Sequence, residues 1–478
     1  MSISRRRFVQ GTALSAAAYA VPQIASANLK NANEEINVGI IGLGNRGAGA
    51  HIPRFQDQSG VRVVAICDPD QKRLDATAAA FEKKYGHKVA KYTDYRKMVE
   101  LPQLDVVTVA TMQYNHALPT IAACAAGKHV YCEKPLSHFI WEGRQMVNAA
   151  RKYDRLVQCG TQARSESRAH DSIKYLREGH LGKIKYLTAF ANKPRSPIGL
   201  RSEPLPIPDD IDYELWCGPA RMEPIYRDHL QYDCSFFWNT GDGESCNQGI
   251  HEIDVARWVL GETQLPRRVM SVGGRFTFND AGNVPNAQII YYDFPTAPVL
   301  YEVHNLRSAK GSKEMPDFFG VRTDTCVHCE GGVVLVRSGI VRDETGKIIK
   351  RFTGPESHFE NFIAAVRSGK REDLHADVLE GHRSTAVTHA GNISYRLGRK
   401  ATDSDIRKQV AETPLFADMW DRMAKHLQAH EINLDAETVT LGPWLDVDRD
   451  NECFKSDAEA NNLVAGTYRA PFTLSEIS

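Results

Sequence analysis

The residues best placed to do chemistry open with a glycine-rich turn. Gly42-Leu43-Gly44-Asn45-Arg46-Gly47 spells G-x-G-x-x-G between an apolar run and a helical stretch, the context in which this pattern binds a dinucleotide. The first glycine permits the tight turn and the second lets backbone approach a pyrophosphate. The third brings the helix close to the strand, with its N-terminus toward the phosphates. Asn45 and Arg46 fill the variable positions and count with Gly42, Gly44 and Gly47 as cofactor-contacting candidates. Asp68 follows Gly47 by 21 residues, at the end of a second apolar run. A carboxylate there accepts hydrogen bonds from a ribose diol and repels a 2′-phosphate, which favours NAD over NADP. A bare glycine turn and a helix cap at Asp68-Pro69-Asp70 are the plainer readings of each piece alone; their spacing and context carry the cofactor reading. A second block, Glu133-Lys134-Pro135, directly follows the run His129–Cys132. Past the carboxyl end of a strand, a lysine can hydrogen-bond a reacting hydroxyl or carbonyl oxygen.

Positioning these groups requires a doubly wound parallel sheet. Ile36–Ile41, Val61–Ile66, Asp105–Ala110 and His129–Cys132 are short apolar runs of buried-strand type, with Leu156–Gln158 as a further member. Helical stretches separate them, such as 70–85 with Leu74, Ala78 and Phe81 at helical spacing. Strands alternating with helices predict a Rossmann-type domain over residues 36–160. Beyond it, 183–191 alternates apolar and polar residues. Further strand candidates at 268–278, 287–294, 299–304 and 332–336 predict an α+β domain over 161–400 with a mainly antiparallel, open sheet. Ser357–Ser368 reads as an amphipathic helix with a serine start, and 379–397 as a second helix. Residues 401–478 form a C-terminal extension that starts helical and ends irregular.

The run Thr111-Met112-Gln113-Tyr114-Asn115-His116, followed by Gly127-Lys128-His129-Val130-Tyr131-Cys132-Glu133-Lys134-Pro135-Leu136, resembles the glucose–fructose oxidoreductase/inositol dehydrogenase/MocA family. The resemblance extends over about residues 36–400. It implies that Lys134 is the catalytic lysine, that His116 lies near the nicotinamide or its ribose, and that Glu133 belongs with the cofactor contacts. In the second half, Asn247-Gln248-Gly249-Ile250-His251-Glu252-Ile253-Asp254 resembles the family's D-x-x-x-H-x-x-D helix. Positions four apart share a helical face, so Asn247 and His251 are expected to point together at the substrate. Histidine suits removal of a carbinol proton because its unperturbed pKa lies near neutrality. His251 is therefore the candidate base, Lys134 polarises the same oxygen, and Asp254 is assigned a structural role. The chain departs from the pattern at Asn247, which orients an imidazole but adds no negative charge. Gly241-Asp242-Gly243-Glu244 is a possible source of another carboxylate. The resemblance further implies a homodimer or homotetramer through the open face of the second sheet.

The first 27 residues carry Ser4-Arg5-Arg6-Arg7-Phe8, a mild apolar run from Gly11 to Val21, and Ala25-Ser26-Ala27. That is the pattern of a twin-arginine signal peptide, so an exported, periplasmic or extracytoplasmic protein is expected, with no membrane span in its mature part. Free NAD is not expected there; an exported enzyme would carry its cofactor out and restore it within each cycle. Lys+Arg and Asp+Glu balance at 59 each, which gives no electrostatic case for nucleic acid. Ten cysteines without framework spacing suggest free thiols, since twin-arginine substrates fold in a reducing compartment. Cys326-Val327-His328-Cys329 has no second pair at zinc-ligand spacing and reads as a loop or turn; no metal is expected. Three functions stay open: a sugar or polyol oxidoreductase, an NAD-retaining glycoside hydrolase or lyase using transient oxidation, and a non-catalytic sugar-binding protein.

Overall fold

The computed structural model describes residues 35–478; the twin-arginine segment lies outside them. Six runs form the first sheet: β1 (Ile36–Ile41), β2 (Val61–Cys67), β3 (Ala90–Tyr92), β4 (Val106–Val109), β5 (His129–Cys132) and β6 (Val157–Cys159). They pair in the order β3-β2-β1-β4-β5-β6, all parallel. The interior strands are apolar on both faces because each face is covered. Helices Tyr95–Val99, Ala117–Ala125 and Ile140–Lys152 cover one side. Helices Ile52–Gln56 and Gln71–Tyr85 cover the other, joined by the amphipathic helix His358–Ser368. That last helix returns from the second half of the chain, and its Phe359 and Phe362 pack on Tyr131 and Phe55. The strand order reverses between β1 and β4, which opens a crevice at their carboxyl ends.

The second sheet has twelve strands. They are β7 (Ile184–Asn192), β8 (Arg268–Gly274), β9 (Ala287–Tyr292), β10 (Val299–His304), β11 (Thr323–Cys329), β12 (Gly332–Leu335), β13 (Ile340–Asp343), β14 (Ile348–Arg351), β15 (Arg399–Ala401), β16 (Val439–Leu441), β17 (Leu445–Asp448) and β18 (Cys453–Phe454). The main path runs β14-β13-β12-β11-β7-β10-β9-β8-β16-β15, with β17 pairing β8 and β18. The β7–β10 pair is parallel and the other pairs are antiparallel.

The cysteine pair Cys326/Cys329 corrects the expectation of a loop: it ends β11. Cys326 packs with Phe190 and Leu335 on one face, whereas Cys329 joins the core on the other. Strand alternation therefore points the two sulfurs apart and forbids a shared metal. All ten cysteines are free thiols, nine of them buried.

The inner face of this sheet packs against helices Ser167–Arg177, Gly249–Leu260 and Val378–Arg396. The outer face, which the family resemblance assigns to subunit contact, is closed over β8–β10 by the chain itself. Helices Asp403–Val410 and Pro414–Gln428 lay Ile406, Phe416, Met419, Trp420 and Met423 on Met270, Ile289, Tyr291 and Leu300. Among the described residues no helix is long and apolar enough to cross a membrane.

Beyond β17 the chain is tied down by charge. Glu452 accepts from Arg144 Nε at 2.9 Å and lies 2.8 Å from His382 Nε2. Burial works against its charge, yet the His382 hydrogen bond and the Arg144 guanidinium outweigh it and hold the carboxyl at about 2, down from 4.5. The tie's stabilisation is therefore full above pH 4.5 and disappears as pH falls toward 2. Glu452→Gln is expected to cost on the order of 2 kcal/mol at pH 7, discounted for partial exposure. Denaturant unfolding should show that difference shrinking as pH is lowered through this window; a pH-independent difference would contradict the assignment.

Candidate active site

The glycine turn leaves β1 at Gly42, whose φ of +86° favours glycine. A side chain at Gly42 would also meet the Ala110–Thr111 backbone at 2.7 Å, because β4 ends directly beside it. Gly47 is constrained more tightly: a Cβ there would lie 1.8 Å from the Gly42 carbonyl oxygen. Gly44 faces open space, which leaves its backbone free to approach a ligand. Asn45 and Arg46 lie in the helical turn that opens the helix. These features fit a dinucleotide pyrophosphate laid across the helix start.

Asp68, at the carboxyl end of β2, accepts from the Leu43 N–H at 2.8 Å and the Asp70 N–H at 3.0 Å. It braces the glycine turn while burial pushes its pKa up against those two donors. Over this end of the groove lies a segment of the long β7–β8 connection. The Gln71 N–H donates to Asp210 O at 2.8 Å and the Asp212 N–H to Pro69 O at 3.0 Å. Tyr114 Oη donates to Trp216 O at 2.5 Å, and Leu205, Ile207, Ile211 and Trp216 form an apolar cluster that includes Met112. Arg469 holds the far side through the Gly218 and Glu214 carbonyls.

Glu133 is turned into the protein at the end of β5. It accepts from Arg46 Nε at 2.6 Å and pairs with His51 Nε2 at 3.0 Å, while the Lys134 N–H reaches its other oxygen at 3.3 Å. Burial opposes its charge, but the His51 hydrogen bond and the Arg46 guanidinium hold it well below the usual carboxylate range. Glu133 thus fastens the glycine-turn helix to the E-K-P turn. His116 is 1% exposed, with Nδ1 2.7 Å from Pro135 O and Nε2 3.1 Å from Thr111 O. Each nitrogen faces a backbone carbonyl, to one of which a singly protonated ring donates, so His116 sits between the ends of β4 and β5.

Lys134 crosses the crevice. Its Nζ donates to the Asn247 carbonyl at 2.6 Å and lies 3.3 Å from Asn247 Oδ1. The expected single helix through 247–254 is interrupted: Gly243–Asn247 ends, Gln248 intervenes, and Gly249–Leu260 begins. The His251 N–H bonds Gln248 O, leaving the Asn247 carbonyl as a helix-end orphan that Lys134 caps. His251 is nine-tenths buried, and among the described residues neither ring nitrogen has a hydrogen-bond partner. Burial, with the charges of Lys134 and Arg337, lowers its pKa well below the ordinary value. Burial also lowers the Lys134 pKa, against the carboxylates of Glu133 and Glu244. Burial thus favours the uncharged imidazole at His251, while at Lys134 it works against the two carboxylates. Asp254 is fully buried, held by Arg164 at 2.8 Å and Ser384 at 2.7 Å.

Further groups complete the surroundings: Glu244, from the run expected to offer another carboxylate, and Lys193, Arg195 and Tyr232, which lie outside the expected set. Glu244 is gripped by Arg195 through two bonds of 2.9 and 3.0 Å, so its charge is largely neutralised. Lys193 bonds Gln248. Tyr232, half-exposed at a φ of +65°, brings Oη to 3.5 Å from Asn247 Nδ2. Lys193, Arg195 and Tyr232 sit in a connection without regular periodicity, so no local signal marked them.

Residues 36–161 match a model described as an oxidoreductase family with an NAD-binding Rossmann fold, and residues 184–295 match its C-terminal alpha/beta domain. The chain belongs to the glucose–fructose oxidoreductase/inositol dehydrogenase/MocA family. Its relatives in this family include a levoglucosan dehydrogenase of Pseudarthrobacter phenanthrenivorans, 26% identical over 264 residues, 50% of this chain and 57% of that protein. A glycosyl hydrolase family 109 protein of Shewanella pealeana is 31% identical over 173 residues, covering 32% and 38%. The chain thus spans about half the length, or less, of these relatives. The crystal structure of an aldose-aldose oxidoreductase from Caulobacter crescentus complexed with glycerol shares the family fold. Its TM-score is 0.56 at 19% identity, over 75% of this chain and 96% of that one.

Gly47→Ala forces the turn apart at the Gly42 carbonyl. The nucleotide recovered by denaturing this variant is expected to fall at least about ten-fold, equivalent to 1.4 kcal/mol; an unchanged yield would place the dinucleotide elsewhere.

Proposed function

We propose that this chain is an NAD-dependent oxidoreductase that oxidises a carbinol of a sugar or polyol, using an NAD it retains through the catalytic cycle. The observation that carries the reading is that a part-buried lysine at the carboxyl end of β5 and an unpartnered histidine at the start of the Gly249–Leu260 helix face each other's charge across the crevice. Gly42, Gly44, Gly47 and Asp68 would hold the dinucleotide, and the nicotinamide supplies hydride acceptance and return. Lys134 donates a hydrogen bond to the carbinol oxygen and stabilises its developing charge. His251, neutral and with a free ring nitrogen, accepts the hydroxyl proton. Tyr232 offers an aromatic face for a pyranose ring, and Asn247 an amide for a neighbouring hydroxyl. Export through the twin-arginine route belongs to the same proposal. So does self-association of the chain, which the covered β8–β10 face would confine to other surfaces.

A second reading, redox-neutral glycoside cleavage by transient oxidation, is favoured by one observation: the segment 205–217 lies bonded over the Asp68 end of the groove. A cofactor beneath it is suited to being restored in place. The relatives carrying a dehydrogenase name and a glycosyl hydrolase name support the two readings about equally.

Protein purified without added cofactor should release stoichiometric NAD on denaturation, and the native protein should be offered free sugars and aryl glycosides in parallel. Nicotinamide absorbance changes with free sugars favour the oxidoreductase, whereas aglycone release without net reduction favours the second reading. Neither response, with no nucleotide released, overturns both. Lys134→Ala should lower kcat at least about 100-fold while bound nucleotide is kept; unchanged turnover would remove Lys134 from the chemistry. Asn247→Asp adds a negative charge that favours imidazolium at His251. The acid limb of the pH–rate profile, where His251 must be neutral, is therefore expected to move to higher pH.

A further inference from the structure

Close to the active-site lysine, three buried donor groups converge. Asp242 precedes the short helix Gly243–Asn247, Cys246 lies within it, and His389 projects from the long helix Val378–Arg396. Their ligand atoms all lie within 4.8 Å of one another. Cys246 Sγ is 3.9 Å from His389 Nδ1, and His389 Nδ1 is 3.8 Å from Asp242 Oδ1. Exposure is 0% for Cys246 and 4% for each of the other two.

The hydrogen bonds around the cluster aim lone pairs at one point. His389 Nε2 sits 2.9 Å from the Ser137 carbonyl; it must carry the proton, which leaves Nδ1 as the acceptor nitrogen. The Cys246 thiol has two acceptors, Thr388 Oγ1 at 3.3 Å outside the cluster and, more weakly, His389 Nδ1 at 3.9 Å within it, and the Asn392 amide is a weak donor to the sulfur at 3.5 Å. Asp242 Oδ2 is taken by Gln113 Nε2 at 3.1 Å and His138 Nδ1 at 3.0 Å, whereas Oδ1 has no hydrogen bond among the described residues. At 3.8 Å it is too far to receive one from His389. A nitrogen acceptor, a sulfur and a carboxylate oxygen thus converge with at most one weak S–H···N contact among them, an arrangement that a cation between them would satisfy more fully.

We propose that Asp242, Cys246 and His389 form a binding site for one zinc-class divalent cation. The donor types are those zinc prefers, and bonds of about 2.3 Å to sulfur and about 2.0 Å to nitrogen separate the two atoms by about 3.5 Å in a tetrahedral site. The observed 3.9 Å needs only a small contraction. One carboxylate, one thiolate and a neutral imidazole bring a dication to neutrality. The thiol proton leaves to solvent as the metal binds, and a water completes the shell. The Ser137 carbonyl on His389, with His138 and Gln113 on Asp242, is the outer support such sites carry. Zero exposure of the sulfur argues against a nucleophile, which must meet its substrate. The cation would bolt the Gly243–Asn247 helix to Val378–Arg396. It would thereby set the carbonyl that Lys134 caps, which makes the three ligands positioning residues rather than catalytic ones.

The test uses the full-length protein with its nucleotide, dialysed against chelator and then titrated with Zn²⁺ or Co²⁺. Elemental analysis should find one zinc per chain retained after gel filtration. Cobalt should give a sulfur-to-metal charge-transfer band that persists in Cys453→Ser, the control for the most exposed thiol, and is lost in Cys246→Ser. His389→Gln should weaken cobalt affinity at least about ten-fold. Should Cys246→Ser fail to fold, wild-type Tm measured with zinc and with chelator decides: a rise with zinc supports the site. Zinc content no higher than background, a band that survives Cys246→Ser or is lost in Cys453→Ser, or a Tm indifferent to zinc overturns it.

Discussion

One bond spans the crevice and sets the geometry of both its walls. The Lys134 ammonium comes from the end of a strand in the first sheet, and the carbonyl it meets, Asn247 O, closes a broken helix of the second half. A helix-end carbonyl buried without a partner costs about 1–3 kcal/mol, and a hydrogen bond from a charged donor returns about as much. Neither wall is satisfied without the other. The break at Gln248 is what makes the carbonyl available, since an unbroken helix would engage it with the His251 N–H. The same break aims His251 into the crevice with no protein partner. The lysine's hold on a backbone carbonyl and the histidine's lack of a partner, on which the proposed chemistry rests, follow from one local departure in backbone geometry.

Charge around this bond is arranged so that, among the described residues, no carboxylate pairs with Lys134 directly. Glu133 is held by Arg46 and His51, Glu244 by Arg195, and Asp254 by Arg164. Each buried pair carries a desolvation cost that its own attraction roughly offsets, so their value lies in fixing elements rather than in net stability. Glu133 joins the glycine-turn helix to the E-K-P turn, and Asp254 joins the Gly249–Leu260 helix to Arg164 and Ser384. An aspartate at position 247 would have given Lys134 a private counter-ion and held it charged. The amide keeps only a dipole there. Lys134 therefore depends on Glu133 and Glu244 acting at a distance, against burial.

Five of the six strands of the first sheet were legible because burial on both faces makes them apolar runs; the edge strand β3, Ala-Lys-Tyr and largely exposed, carried no such signal. The three glycines were legible because their spacing reflects contacts within a single turn. The amphipathic helix at 358–368 was visible as a helix, but its partners Tyr131 and Phe55 lie more than 200 residues away and leave no local trace. β11 went unread because Thr323–Cys329 is rich in polar and sulfur-bearing residues that its neighbours β7 and β12 nonetheless bury. The break at Gln248 was hidden for a similar reason. Gly249 reads as an ordinary interruption until Tyr301 is in place, 2.1 Å from where its Cβ would be. Such close approaches are tertiary facts, and composition does not encode them.

The segment 205–217 bears on which chemistry the site can support. A cofactor that exchanges after each turnover needs an open path at the ribose end of its groove, and here that end lies under backbone bonds to Pro69 and Gln71 and an apolar cluster on Met112. Arg469 reaches the same segment from the C-terminal tail, so lifting it means breaking contacts at both edges together. The more bonds must break at once, the slower the opening and the longer a bound ligand stays. Under that constraint, hydride taken from one carbinol is best returned within the same crevice, to the same sugar or to a second one. Both proposed outcomes would use Lys134 and His251 identically in the first step. They differ in what happens while the ketone exists: release favours exchange between sugars, and retention favours loss of a group adjacent to the acidified C–H bond.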